Sequence, residues 1–486
     1  MTGEFSEDKL VQETTADYFR DTLNWESVYA YNEEVLGVDG TFGRITEKEI
    51  VLKRYLKRAI QKLNPNLPET VYDTAVKQIT EISYTRSLIR QNREKYDLFT
   101  NGVLVKYKDE NNQTKKVRIK LFDFEEPANN HFLIVRELWI QGSLYRRRAD
   151  IIGFVNGLPL LFIELKTVHR NVRNAYDGNL KDYMDTIPHL FIHNAMIMLS
   201  NGDLAKIGTI SSKYEHFMDW KRLKEDDEGS LDFEVMLSGI CNKINFIDLF
   251  ENFILFDETL GYCVKILARN HQFLGVNKVI GAIKNRNKRK GKLGVFWHTQ
   301  GSGKSYSMAF LCKKSHRKIT GNFTFLIVTD REDLDKQIYN TFTGVGLVKE
   351  EKCRASSGEN LKQLFLEDHP YLFTMIHKFN IEVTEDNPYS IRSDIIVCSD
   401  EAHRTQYGQL ALNMRNALPN SSFIGFTGTP LFKDDEITMR IFGDYISTYD
   451  FQRSVQDGAT VPLYYRQIEN EKVPRRLRCF SNFHGI

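Results

Sequence analysis

Cysteine is scarce in this chain. Six residues in 486 (Cys241, Cys263, Cys312, Cys353, Cys398 and Cys479) stand far apart, with no C-x-x-C pair. That usage argues against a disulfide framework or a zinc site and favours reduced thiols in a cytosol. Excess charge is lacking too: 66 Lys and Arg stand against 64 Asp and Glu, for a net +2. Such a balance neither demands nor forbids nucleic acid, so any case for DNA rests on local sites. No stretch approaches the roughly 18 apolar residues of a membrane span. The opening "MTGEFSEDKLVQETTADYF" is acidic and has no apolar signal core, so neither membrane insertion nor secretion is expected. Short-period repeats and low-complexity tracts are also missing. Hydrophobic residues at 41% and charged residues at 27% are ordinary for a soluble globular protein, and the length suggests about two to four domains.

Along the chain, residues 1–100 read as mostly helical, with apolar positions three and four apart in "EIVLKRYLKRAIQKL". Short alternating strands follow between Gly102 and Phe154. A mixed stretch runs from about Tyr183 to Phe256, and its charge run "KRLKEDDEGSLDF" reads as a solvated loop or linker. From about Thr259 apolar strands ("LGVFWH", "FTFLIVTD", "YLFTMIH", "DIIVCSDE", "SFIGFTGT") alternate with longer helical segments. That rhythm predicts a parallel sheet in an α/β domain.

Within that second half, "WHTQGSGKSYSMAF" takes an apolar strand into a glycine-rich turn and then a helix. Gly301, Ser302 and Gly303 would let backbone N–H groups approach phosphates at a helix N-terminus. Lys304 would reach the β- and γ-phosphates of ATP and Ser305 would hold Mg²⁺. The full pattern has glycine five residues before Gly303; here that residue is His298. "SDIIVCSDEAHRTQYG" ends a strand on Asp400 and Glu401, where parallel sheets place ligands. Asp400 would hold Mg²⁺ and Glu401 would orient or deprotonate the attacking water. Gln272, in "ARNHQF", carries the donor and acceptor that suit the edge of adenine. Thr427 and Thr429, in "FTGTP", suit a turn that senses the nucleotide. Alone, each has a plainer reading as a polar turn or loop end.

In their order, Gln272, "QGSGKS", "IVTDRED", "TMIHKF", "DEAH" and "TGTP" resemble a superfamily 2 helicase or translocase over roughly Thr259 to Asp450. The resemblance implies a RecA-like ATP-binding domain that grips DNA. On it, Thr329, Arg331, Thr374 and Lys378 face nucleic acid, although each is equally a solvated strand end. The basic run "KNRNKRKGK" reads as a solvated loop, with phosphate attraction as its alternative.

Upstream lies "RRRADIIGFVNGLPLLFIELK". Asn156-Gly157 is a strong two-residue hairpin turn. Glu164 and Lys166 share a strand face, and antiparallel pairing brings Asp150 towards Glu164. Two adjacent carboxylates repel unless a cation lies between them, and Mg²⁺ suits such oxygen ligands. Lys166 would orient a bound water or stabilise developing charge. Arg146, Arg147 and Arg148 suit phosphate contacts. The D-x13-E-x-K spacing resembles the PD-(D/E)XK nucleases. "NLKDY" is similar to the Q-x-x-x-Y motif that follows the nuclease core in the R subunits of type I restriction enzymes, with Tyr183 kept and Asn179 in place of glutamine.

A nuclease of this kind ahead of a superfamily 2 motor is similar to the R, or motor, subunit of type I restriction enzymes. The expected architecture is α/β: a PD-(D/E)XK-like nuclease domain with a helical N-terminal part over 1–185, a connecting region over 186–258, and a RecA-like parallel-sheet domain over 259–460. Residues 461–486 would begin the link to a second RecA-like domain, which makes the chain read as truncated and deficient in ATP turnover. The resemblance implies ATP and Mg²⁺ as cofactors. It also implies double-stranded DNA and the methyltransferase and specificity subunits as partners, in the cytoplasm of a bacterium or archaeon. Two alternatives stay open: a helicase or remodeller with a non-catalytic N-terminal domain, and a truncated binding module without enzymatic activity.

Overall fold

The computed structural model describes residues 7–83, 85–349, 353–379, 387–400, 407–430 and 436–460. Two six-stranded sheets organise them. The first is mixed. It runs in the order β1 (Glu26–Tyr29), β2 (Phe132–Gln141), β3 (Arg146–Val155), β4 (Leu158–Leu165), β5 (Met196–Ser200), β6 (Ala205–Gly208). Strands β2, β3 and β4 are antiparallel neighbours, while β1–β2 and β4–β5 are parallel. Every residue of β4 and β5 is buried, because helices cover both faces of the sheet and apolar runs replace alternation.

The second sheet is wholly parallel. Its strands are β7 (Lys292–His298), β8 (Thr324–Thr329), β9 (Tyr371–Met375), β10 (Ile395–Asp400), β11 (Ser422–Thr427) and β12 (Tyr445–Tyr449), in the order β9-β8-β10-β11-β7-β12. Intervening helices such as Lys304–Lys318 and Glu332–Gly344 supply the crossovers that parallel strands require. Helix Asn270–Lys284 approaches closely at Gly275, where a Cβ would lie 2.6 Å from Ser447 Oγ and 2.8 Å from the Phe296 ring.

The stretch after residue 185 differs from the expected connector. Strands β5 and β6 complete the first sheet, so that unit continues to Gly208. The charge run is an irregular and mostly exposed stretch, as expected of a solvated loop, but two of its charges are buried: Arg222 is 6% exposed and Glu225 8%. Both charges are held by partners on the second unit, which is what allows them to be buried. One continuous apolar core joins the units, running from Trp25, Phe132 and Phe246 through Phe250 and Phe253 to Phe273 and Phe310. The basic run at 284–292, by contrast, is an exposed turn. Among the described residues no helix is long and apolar enough to cross a membrane.

Between β3 and β4, Asn156 (φ 52°) and Gly157 (φ 79°) make the left-handed two-residue turn that matches strand twist. A Cβ on Gly157 would lie 2.5 Å from the Leu52 carbonyl oxygen and 2.8 Å from the Leu56 nitrogen, both backbone atoms. Gly157→Ala is therefore expected to destabilise the protein by about 1–3 kcal/mol, read as a lower urea midpoint of the first unit.

Candidate active sites: a buried carboxylate pair and a phosphate loop

A strict two-residue hairpin would set Asp150 opposite Ile163. Near the turn the register follows that rule, with Val155 opposite Leu158 and Phe154 opposite Pro159. It then shifts by one residue: Gly153 lies opposite Leu161 and Ile151 opposite Ile163. The unpaired residue is Leu160, a β-bulge beside a proline that cannot donate to a ladder. Because side chains alternate between faces, this single insertion carries Glu164 to the face of Asp150. Reading the hairpin from its turn alone missed the bulge.

Glu164 is 0% exposed. Its Oε1 accepts from Lys166 Nζ at 2.8 Å and from Asn179 Nδ2, while its Oε2 has no hydrogen-bond partner among the described residues. Burial first, and then the charge of Asp150, push the Glu164 carboxyl well above the usual range; Lys166 and Asn179 oppose them. Asp150 accepts from the Leu165 backbone N–H at 2.8 Å and from Gln12 Nε2 at 3.0 Å. Gln12, on helix Glu7–Asp21, carried no motif signal. Asn179 lies in a π-helical turn, Ala175–Leu180, a geometry that recurs at functional sites. Tyr183 is buried and donates to the Arg148 carbonyl at 2.8 Å. A third acid, Glu137, falls next to Asp150 in the register of β2 and β3, with a left-handed φ of 53°. Its carboxylate pairs with Arg148 at 3.3 Å. No group of three or more metal-ligating side chains occurs among the described residues; Asp150 and Glu164 are a pair.

The arginines expected to meet phosphate are engaged within the protein. Arg146 pairs with Glu47 and lies 3.9 Å over the Trp139 ring. Arg147 pairs with Asp182, and Arg148 with Glu137.

In the second sheet, β7 leads into a loop whose Gly301 (φ 82°) and Gly303 (φ 84°) adopt left-handed backbone. Gly303 opens helix Lys304–Lys318, so the loop's N–H groups converge at a helix N-terminus. Lys304 Nζ donates to the His298 carbonyl at 3.3 Å. Ser302 is buried, and Ser305 is half-buried on the first turn of the helix. Gln272 holds the loop: its Nε2 donates to the Gly303 carbonyl at 3.0 Å and its Oε1 accepts from the Arg269 N–H at 2.9 Å. Both ends of the amide expected to meet adenine are thus engaged within the protein. Asp400 ends β10 at 6% exposure, and Thr427 ends the neighbouring strand, its Oγ1 donating to the Thr429 carbonyl at 2.9 Å. Glu401 lies outside the described residues, as does 461–486.

Of the four residues expected to face DNA from this unit, Arg331 is exposed beside Asp330, and Lys378 donates to the Ser356 carbonyl at 2.7 Å. Thr329 and Thr374 are 0% and 2% exposed. Their hydroxyls are buried and have no hydrogen-bond partner among the described residues; Thr329 ends β8 and Thr374 lies in β9, the edge strand beside it.

Comparison with known proteins agrees with this division. Residues 4–216 match the family model described as the type I restriction enzyme R protein N terminus, and residues 271–477 match the SWI2/SNF2 ATPase model. The HindI endonuclease subunit of the type I restriction enzyme of Haemophilus influenzae is 37% identical over 93% of this chain and 45% of its own length. A protein of Methanocaldococcus jannaschii assigned as the MjaIXP endonuclease subunit is 31% identical over 87% of this chain and 43% of its own. A fragment structure assigned as an HsdR subunit from Vibrio vulnificus YJ016 aligns at 16% identity and a TM-score of 0.27, covering 85% of this chain and 60% of that one. The chain spans about half the length of the curated relatives it matches. With an R-protein N-terminal unit followed by a SWI2/SNF2-type ATPase unit, it belongs to the family of type I restriction enzyme R subunits.

Proposed function

We propose that this chain is the nuclease and ATPase part of a type I restriction endonuclease subunit. In that role it moves on double-stranded DNA at the expense of ATP and cuts unmodified DNA away from the recognition site, alongside methyltransferase and specificity subunits. The observation that carries the reading is the fully buried Glu164 carboxylate, whose Oε2 has no hydrogen-bond partner among the described residues and whose neighbour across the ladder is Asp150. An isolated carboxylate in an apolar strand costs several kcal/mol, and a second acid beside it adds repulsion. A divalent cation removes both penalties, and the oxygen donors fit Mg²⁺.

Asp150 and Glu164 would hold that ion, which when bound supplies a Lewis acid and an activated water. Lys166 would place positive charge beside the phosphate under attack. Asn179 orients Glu164, and Tyr183 ties the following helix to β3. In the ATPase unit, the N–H groups from Gly301 to Ser305 would cradle phosphates with Lys304. Ser305 and Asp400 would hold Mg²⁺, Glu401 would handle the attacking water, and Thr427 and Thr429 would sense the γ-phosphate. Gln272 would reach adenine only by exchanging a protein hydrogen bond for one to the base. Arg146, Arg147, Arg148, Arg331 and Lys378 are the DNA contacts of this reading; the arginines of β3 would exchange their acids for phosphate. Thr329 and Thr374 would join them only after rearrangement.

Three outcomes are expected. Glu164→Gln should lower Mg²⁺-dependent cleavage of supercoiled plasmid by about a hundredfold or more, and unchanged cutting would assign the first unit to binding alone. Lys304→Ala should weaken binding of a fluorescent ATP analogue by at least about tenfold, measured by anisotropy. The third concerns stability. The folded chain holds a proton on Glu164 above the unfolded carboxyl range of about 4.3. Stability from this group is therefore complete below that range and is lost as pH rises from it through the raised folded value. In EDTA, Glu164→Gln should melt higher than the parent at pH 8, with the gap closing towards pH 5. Ca²⁺ should raise the melting temperature of the parent only.

A further inference from the structure

The segment Lys221–Asp232 and His298 are two sequence features that the reading above does not use, and the structure joins them. Arg222 exchanges two hydrogen bonds with Asn270, its N–H reaching Asn270 Oδ1 and its carbonyl accepting from Asn270 Nδ2, both at 3.0 Å. Asn270 stands two residues before Gln272. Lys221 donates to the Gln456 carbonyl at 2.6 Å, and the Arg222 guanidinium meets Asp457 at 3.3 Å. Glu225 reaches β12: its Oε1 accepts from Ser447 Oγ and from the Thr448 N–H, both at 2.6 Å. Lys278 pairs with the same carboxylate, and Arg453 donates to the Glu225 carbonyl at 3.0 Å.

Ser447 continues the chain of contacts. Its Oγ lies 2.7 Å from His298 Nε2. A hydroxyl has one proton, and Ser447 donates it to a carboxylate. The hydroxyl can therefore only accept from the imidazole, so Nε2 carries the proton. His298 is 0% exposed, and its Nδ1 has no hydrogen-bond partner among the described residues. Burial holds the ring neutral, helped by His271 and Lys304. The ring stacks on Phe296 at 3.8 Å, and the His298 carbonyl accepts from Lys304. Next to it, His271 stacks on Tyr449 at 3.8 Å and bonds the Ser302 carbonyl at 3.0 Å.

We propose that Glu225 is a positioning residue for the phosphate loop. Through Ser447 it sets the direction of the hydrogen bond to His298, and so the tautomer and the seat of the residue that replaces glycine at the root of the loop. The segment after the first sheet is then a wall of the nucleotide site, and nucleotide affinity depends on its seating. This rests on the ATP reading above, but the relay itself exists without nucleotide.

The test uses the whole chain with ¹⁵N-labelled histidine, His298→Gln serving to assign the His298 signals. Without nucleotide, the parent should show a protonated Nε2 and a bare Nδ1. Glu225→Leu and Ser447→Ala should shift both nitrogens and weaken binding of a fluorescent ATP analogue by about tenfold. Glu225→Gln, whose amide oxygen still accepts from Ser447, should keep the parent signals and most of the affinity. Weaker binding with unshifted nitrogens would reduce the segment to a structural strap and overturn the proposal, as would parent-like binding in both disrupted variants. If Glu225→Leu does not fold, Ser447→Ala carries the test alone. A parent that binds no analogue would overturn the ATP reading instead, and the nitrogen signals would still decide the relay.

Discussion

Glu164 has no exposed surface and sits in a strand whose every residue is buried. A lone carboxylate there would shed its charge or unfold the strand. Around it, Lys166 and Asn179 converge on one oxygen, and a second acid lies across the ladder. That acid, Asp150, is held in turn by Gln12 and by the backbone of Leu165. The first sheet, the helix Glu7–Asp21 and the π-turn at Asn179 each contribute a group that supports these two acids. An apolar strand alone needs none of them.

The two units are fused by packing as well as by sequence. Their aromatic core is continuous, and the segment between them buries Arg222 and Glu225 against the ATPase sheet. Buried charges demand partners, and here the partners lie at Asn270, Asp457 and Ser447, all close to the phosphate loop. The chain leaving the first sheet is thereby tied to the ATPase unit. The contact is a short hydrogen-bonded path from that segment to β12 and β7.

Departures from a motif were as informative as matches. His298 in place of glycine looks like a defect in the phosphate loop until its ring is found stacked on Phe296 and bonded to Ser447. Asn179 in place of glutamine, shorter by one methylene, still reaches Glu164. Gln272 and the three arginines of β3 carry the expected chemistry, yet each is engaged within the protein here. Motif spacing reports which groups are available, and local competition decides which partner each one holds.

Much was legible in the residues alone. Strand–helix alternation after Thr259 announced the parallel sheet, because buried parallel strands need unbroken apolar runs. Asn156-Gly157 announced its turn, because only such residues accept two left-handed conformations cheaply. Asp150, Glu164 and Lys166 stood out as charges in an apolar hairpin. Tertiary structure decided the rest. The bulge at Leu160 sets the face on which Glu164 lies, a matter of one residue of register that spacing along the chain cannot express. The burial of Arg222 and Glu225, the buried hydroxyls of Thr329 and Thr374, and the path from Glu225 to His298 depend on partners far away in the chain or on neighbouring strands. A sequence names each charge; only the fold supplies the partner that lets it be buried.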